Sequence, residues 1–295
     1  MVSFRKSQNA KMNSEHIDSL TNYNYITFKA TKSRIDKGLL AIPKSLADEY
    51  FPDNNSKIRI CFDKSMHFEI KSYTCFASSS REARIGGMKE WYQSNKIQSG
   101  DEIVIQIIDQ KNLKYKVLPE TCFLNEIKQL QETFDNSENE NDARKHLSSL
   151  SKLTSIDRND VVLNEVLRLT KLPIRERKYS SMNIRKAKEG VPSSLRSLLE
   201  EIYGGRCQLT DFGFIMKNGR PYFEIHHIAS SLGNHIKNLL VVCSNVHAQF
   251  TYANVHQEFD NEGWLHKVRF NDTEFKVRQK IRDYEEKRFV KQVYL

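Results

Sequence analysis

The sequence predicts an α+β chain in three stretches: a mostly-β domain over residues 1–119, a helical linker region over 120–192, and a C-terminal domain of short strands and helices over 193–295. Three observations carry this. From Tyr23 to Leu118 short apolar runs alternate with turn residues, the pattern of a small β domain. Around Cys122–Thr133 and Asp160–Leu172 apolar residues recur at helical spacing. Between Tyr222 and Tyr252 an apolar strand, a loop, a second apolar strand and a helix follow one another. A chain of 295 residues is long enough to build two cores.

In the first stretch, Ile58 to Phe62, Phe68 to Tyr73, Ile103 to Ile108 and Tyr115 to Leu118 read as strands. Ser99-Gly100-Asp101 is a turn feeding the third of these. Ser45 to Tyr50 reads as one short helix, with Ser45 as N-cap and Asp48 in the capping-box position. Leu39, Leu40, Ile42, Ile60, Phe62, Phe68, Ile70, Ile103, Ile105 and Ile107 are the expected core. In the second stretch, the acidic, Asn-rich run Asp135 to Asp142 reads as a solvated loop or linker. Pro173 ends the helix that precedes it. Arg175 to Lys188 is dense in Arg and Lys, and reads either as a solvated basic face or as a phosphate contact. Ser193 to Tyr203 is an amphipathic helix closed by Gly204-Gly205.

Lys and Arg number 46 against 37 Asp and Glu, a net charge of +9. This excess favours a polyanionic partner, nucleic acid before membrane, since no long basic amphipathic helix is evident. No run of about 18 apolar residues is present, and Met1 to Ser14 lacks the apolar stretch of a signal peptide. Five scattered cysteines are expected as free thiols in a reducing cytoplasm of bacterial type.

The chemistry-bearing residues concentrate in the third stretch. Tyr222 to Ile228 ends on His226-His227, Asn238 leads the strand Leu239 to Cys243, and Ser244, as cap, opens a helix carrying His247. Neighbouring residues on a strand point to opposite sides, so two adjacent histidines can divide two tasks between them. Neutral imidazoles suit both metal ligation and proton abstraction near pH 7. The arrangement resembles the ββα-metal finger of HNH endonucleases over about Arg206 to Ala253, with eight residues between Asn238 and His247. Tyr203, Cys207 and Thr210 are similar to the Tyr-x-x-x-Cys-x-x-Thr opening of bacterial HNH domains. The resemblance implies that His226 and His247 bind a divalent metal ion, Mg²⁺ or Mn²⁺, and that His227 is the general base. It implies that Asn238 ties the loop by side-chain hydrogen bonds and orients His227. Thr251 stands where several such families place a third ligand. Thr210 and Val246 stand where others complete a zinc site with Cys207 and Cys243, so no structural Cys₄ zinc is expected. His235, in the loop, is expected to face loop or DNA.

The first stretch carries a second resemblance. Gly38 to Ala47 with its Ile42-Pro43-Lys44, then Tyr50-Phe51-Pro52 and Gly100-Asp101-Glu102-Ile103, is similar to the B-three-type DNA-binding pseudobarrel, over about Tyr23 to Pro119. That family implies two loop arms that clamp the major groove. Here they would be about Thr31 to Lys37, with Lys32, Ser33 and Arg34, and Phe76 to Gly87, with Ser79, Arg81 and Arg84 as contacts. Arg reads guanine bidentately, while Ser and Lys reach phosphates and base edges. Together the two resemblances imply a sequence-specific double-stranded DNA endonuclease of type II-like restriction kind, acting as a homodimer. The alternatives are a nuclease dependent on base modification and a non-catalytic DNA-binding regulator.

Overall fold

The computed structural model describes residues 2–5, 23, 25–62, 67–76, 82–182 and 185–284. It is an α+β protein. Its chain divides into two compact units, Met1–Leu130 with Leu150–Ile156, and Gln131–Ser149 with Asp157–Leu295. The stretch 120–192, expected as a helical linker region, is shared out between them.

The first unit holds β1 (Val2–Arg5), β2 (Tyr25–Lys29), α1 (Lys32–Asp36), β3 (Leu39–Ile42), α2 (Lys44–Tyr50), β4 (Ser56–Cys61), β5 (Phe68–Thr74), β6 (Ala83–Gly86), α3 (Lys89–Ser94), β7 (Glu102–Asp109) and β8 (Lys114–Pro119). The strands form one sheet in the order β1-β2-β7-β8-β4-β5-β6-β3, antiparallel except for β4 beside β8. Phe28 on β2 and Leu40 and Ile42 on β3 lie near opposite edges of that order. They nevertheless belong to one buried cluster with Ile58, Ile60, Tyr73, Ile85, Ile103, Ile105, Tyr115 and Val117 from the strands between. A sheet whose distant strands share one core is curled on itself, which is the expected pseudobarrel.

Two sequence expectations fail here for local reasons. Ile70 is 68% exposed. It pairs with Arg59, which lies between the inward-facing Ile58 and Ile60, so register puts Ile70 on the outer face. Ser45 is not a cap: α2 starts one residue earlier, at Lys44, behind Pro43, and no side chain caps it.

The helical stretch contains α4 (Glu120–Asp135), α5 (Glu140–Thr154) and α6 (Arg158–Thr170). The run expected as a loop from Asp135 to Asp142 holds a four-residue connection, 136–139, between the last residue of α4 and the first turn of α5. Asn139 accepts from the Asp142 backbone N–H at 3.0 Å, and Glu140 and Asp142 occupy the first turn of α5. Carboxylates are favourable there, against the unsatisfied N–H groups and the positive end of the helix dipole. Glu165 of α6 is fully buried but satisfied, by Gln131 at 2.7 Å and by Arg168 at 2.8 Å.

The second unit continues with the hairpin β9 (Tyr179–Met182) and β10 (Arg185–Lys188), α7 (Ser193–Tyr203), and the short pair β11 (Phe214–Ile215) and β12 (Pro221–Tyr222). Then come β13 (Glu224–His227), a 3₁₀ turn (Ile236–Asn238), β14 (Leu239–Val242) and α8 (Ser244–Tyr252). A meander closes it, β15 (Val255–Phe259), β16 (Leu265–Phe270) and β17 (Thr273–Lys276). Leu240 and Val242 of β14, Val246 of α8 and Leu265, Val268 and Phe270 of β16 form one apolar cluster, which seats the β13–β14–α8 motif on the meander.

Candidate active site

Leu239-Leu240-Val241-Val242 is a continuous apolar run, buried at every position. It is the inner strand against which β13 pairs, with His226 opposite Leu240 and His227 opposite Leu239. Gln208 locks the other edge of β14: its backbone N–H donates to Val241 O and its Oε1 accepts from Val241 N, both at 2.8 Å. α8 starts with Cys243 as N-cap in an extended conformation; Ser244, expected as the cap, is its first helical residue and instead donates to the Tyr222 hydroxyl at 3.3 Å.

Period-two alternation along β13 then sorts the side chains. Glu224 and His226 face α8. The His226 ring stacks on Phe250 at 3.9 Å and stands edge-on to His247 at 5.3 Å between ring centres. Glu224 hydrogen-bonds Nδ1 of His247 through Oε2 and accepts from the Tyr222 hydroxyl at 2.8 Å through Oε1. Burial raises the Glu224 carboxyl, but hydrogen bonds from His247, Tyr222 and Ser244 outweigh it and hold the group below its ordinary range. Burial, then the neighbouring His247 and His227, push the His226 imidazole down to about 4. His226 is therefore neutral at pH 7, the form that binds metal.

His227 faces the other way. Its Nε2 lies 2.9 Å from Oδ1 of Asn234, whose Nδ2 donates to Gly190 O at 2.8 Å. With the Asn234 amide oriented by that carbonyl, its Oδ1 is turned to the ring and accepts from His227 Nε2.

Asn238 is buried and ties the β13–β14 loop, as expected. Its Oδ1 accepts from Ala229 N at 2.8 Å, and its Nδ2 donates to the carbonyls of Ala229, Gly233 and Leu232 at 3.2, 3.1 and 3.4 Å. Asn234 is in hydrogen-bonding contact with the His227 ring, and the Asn238 carbonyl accepts from Ile228 N, just past the end of β13, at 2.9 Å. His235, expected to face loop or DNA, is buried and accepts from Lys237 N at the start of the 3₁₀ turn.

These residues fit a divalent ion in a particular way. With nitrogen–metal distances of about 2.1 Å, two imidazoles on one ion have ring centres roughly 5 Å apart, and His226 and His247 are at 5.3 Å. A metal-binding histidine commonly donates its second N–H to a carboxylate, the position Glu224 holds toward His247 Nδ1. Among the described residues no group of three His, Cys, Asp or Glu is placed to hold a metal ion. Thr251 is exposed on α8 and bonds the His247 carbonyl. Two imidazoles would thus leave most of the coordination sphere to oxygen atoms from substrate and water. Cys207 and Cys243 are free thiols, with Thr210 Oγ1 3.9 Å from Cys243 Sγ.

Glu224 and Asn234 are the residues that sequence reasoning missed. Glu224 carried a signal, since it lies two positions before His226 and so shares its strand face. Asn234 carried none, because its two partners come from separate segments.

In the first unit, Lys32, Ser33 and Arg34 lie on helix α1, not on an open loop, and the helix is closed by Gly38 at φ +61°. Lys32 and Ser33 are exposed, whereas Arg34 is ion-paired with Glu82. That pair joins the two expected arms. Arg84 points outward from β6, its guanidinium 5.4 Å above the Phe76 ring. Ser79 and Arg81 fall outside the described residues.

No family model matches the sequence, and no curated protein matches it. Among solved structures, an Arabidopsis FUS3–DNA complex is similar over 32% of this chain and 92% of its own, at 17% identity and a TM-score of 0.28. The N-terminal domain of Helicobacter pylori LlaJI.R1 is similar over 32% of this chain and 77% of its own, at 15% identity and a TM-score of 0.25.

Proposed function

We propose that this chain is a metal-dependent endonuclease of double-stranded DNA, of restriction type. In this reading the second unit hydrolyses the phosphodiester and the curled sheet of the first unit selects the sequence. The observation that carries the reading is the division of labour on β13: two imidazoles, one backed by a carboxylate, on one side, and a third imidazole held by Asn234 on the other. Phosphodiester hydrolysis needs both halves, a base for the attacking water and positive charge at the scissile phosphate.

His226 and His247 would hold Mg²⁺ or Mn²⁺, which when bound supplies Lewis-acid stabilisation of the leaving oxygen. Glu224 orients His247 and keeps its Nδ1 hydrogen in place, so Nε2 is the ligating nitrogen. His227 takes the proton from the attacking water, while Asn234 holds the ring. Asn238 fixes the loop that carries Asn234. One such motif per chain favours a homodimer on a two-fold symmetric site for cutting both strands.

The test is His227→Ala in the full chain. Cleavage of duplex DNA in Mn²⁺ should fall by about 10²- to 10⁴-fold, with DNA affinity unchanged. Wild-type cutting by the purified variant removes His227 as the base. Loss of binding together with cutting assigns it to DNA contact instead.

A further inference from the structure

The β11–β12 hairpin has only two residues in each strand, and a two-stranded hairpin this short is not stable by itself. It nevertheless places Phe214 at the surface, 49% exposed. Phe214 pairs with Tyr222 across the hairpin and lies over its ring, with centres 5.1 Å apart and planes 18° from parallel. A tyrosine side chain has two torsions before its hydroxyl, and a neighbour stacked on one face restricts both. The Tyr222 hydroxyl is therefore delivered to a fixed place.

That place is the Glu224 carboxylate. The hydroxyl donates to Glu224 Oε1 at 2.8 Å and accepts from Ser244 Oγ at 3.3 Å. The other carboxylate oxygen, Oε2, holds Nδ1 of His247. Ser244 and His247 stand three residues apart on α8, a spacing that puts both on one side of the helix. Tyr222 and Glu224 lie on either side of the buried Phe223. The four side chains thus join the segment 222–224 to the first turn of α8 at two points.

The double engagement matters because the last torsion of a glutamate is broad and roughly two-fold. A carboxylate held through one oxygen can still turn; held through both, its plane is set. Glu224 is 28% exposed, so water competes for each oxygen. The bond from Tyr222 keeps Oε1 occupied and Oε2 turned to the helix.

We propose that Tyr222 is a positioning residue of the metal centre: by holding Glu224 Oε1 it fixes the carboxylate that retains the Nδ1 hydrogen of His247, and so keeps His247 Nε2 free for the ion. The assignment rests on the nuclease reading of this site, but the tautomer it requires belongs to the metal-free chain.

Tyr222→Phe removes one hydroxyl and keeps the ring on Phe214, so it tests the hydrogen bond and not the packing. Two readouts apply, both on the full chain. In EDTA at alkaline pH, proton–nitrogen correlation spectra with isotope-labelled histidine should show His247 as the Nδ1-protonated tautomer in wild type and as a mixture of both tautomers in Tyr222→Phe; His247→Gln identifies the signal. Calorimetric titration of Mn²⁺ in the presence of duplex DNA should show binding weakened by about 10-fold in Tyr222→Phe, the low end of the range for a group behind a metal ligand. In a Glu224→Ala background the same substitution should change nothing further, because Tyr222 acts through that carboxylate. An unchanged tautomer or an unchanged Mn²⁺ affinity in Tyr222→Phe overturns the assignment. So does an equal loss of affinity in the Glu224→Ala background, which would mean that Tyr222 acts by another route. A wild-type protein that binds Mn²⁺ and shows these effects but cuts no DNA overturns the nuclease reading and supports the role of Tyr222 in the metal centre.

Discussion

Asn238→Ala separates two ways in which this asparagine can matter. Its side chain is 4% exposed. Oδ1 takes one hydrogen bond, and the two Nδ2 hydrogens are shared among three loop carbonyls. Truncation therefore removes the equivalent of three bonds, each of net value near 1 kcal/mol, and leaves the Ala229 N–H without its acceptor, a further ~1–2 kcal/mol. The expected loss is roughly 4–5 kcal/mol, a large part of a typical domain stability, or a midpoint drop of roughly 8–20 °C for a unit of this size. The protein offers a selective probe. It has two tryptophans, Trp91 in the first unit and Trp264 in the second, the latter fully buried. In a Trp91→Phe background, urea unfolding followed by Trp264 fluorescence reads the second unit alone. Asn238→Asp should cost at least as much, because it turns a buried carboxylate oxygen on three backbone carbonyls. If Asn238→Ala unfolds within about 0.5 kcal/mol of wild type yet no longer cuts DNA, the loop-tying role is wrong and the side chain acts on substrate.

Two further outcomes are expected. Glu224→Gln should weaken Mn²⁺ binding in the presence of DNA by roughly 10- to 100-fold, read by calorimetry, because the carboxylate orients and polarises His247; unchanged affinity removes Glu224 from the site. Burial pushes the His235 imidazole below its ordinary value near 6.5, against an opposing pull from the carbonyls of Thr170 and Leu172. The unfolded chain therefore binds more protons at this position below that value, so this contribution to stability is complete above pH ~6.5 and is lost as pH falls below it. Unfolding read at Trp264 between pH 7.5 and 5 should show a slope that His235→Gln reduces, and an identical slope in the variant would refute the assignment.

The β13–β14–α8 motif was legible because its information is local: a four-residue apolar run, two histidines at a strand end, and a helix within reach. What was not legible depended on partners far apart in sequence. Nothing near Asn234 announces Gly190, and the tie from Arg175 to Gly233 crosses more than fifty residues. Helix α5 was missed because its polar first turn reads as a solvated loop until Asn139 is seen capping it. Ile70 was misread as core because hydrophobicity does not reveal strand parity, which register with Arg59 alone decides. In the first unit the curled core was recoverable from its apolar runs, whereas the pairing of Arg34 with Glu82, between two segments expected to act separately, was not.

The division of the chain bears on its modularity. The polypeptide passes between the units three times, after Leu130, Ser149 and Ile156. The first unit is thus not a contiguous piece: Tyr25 donates to Glu120 at 2.9 Å and packs its ring 5.0 Å from Phe123, and Gln106 donates to the Leu153 carbonyl. A fragment ending at 119 would strip those partners from two of its own strands. Exchanging the first unit for another by a single splice, after Leu130 or after Ile156, would leave one half carrying a scrap of the other's unit. A graft that respects the interleaving must carry Leu150–Ile156 along with the N-terminal segment, and selection acting on one unit is bound to constrain the sequence of both.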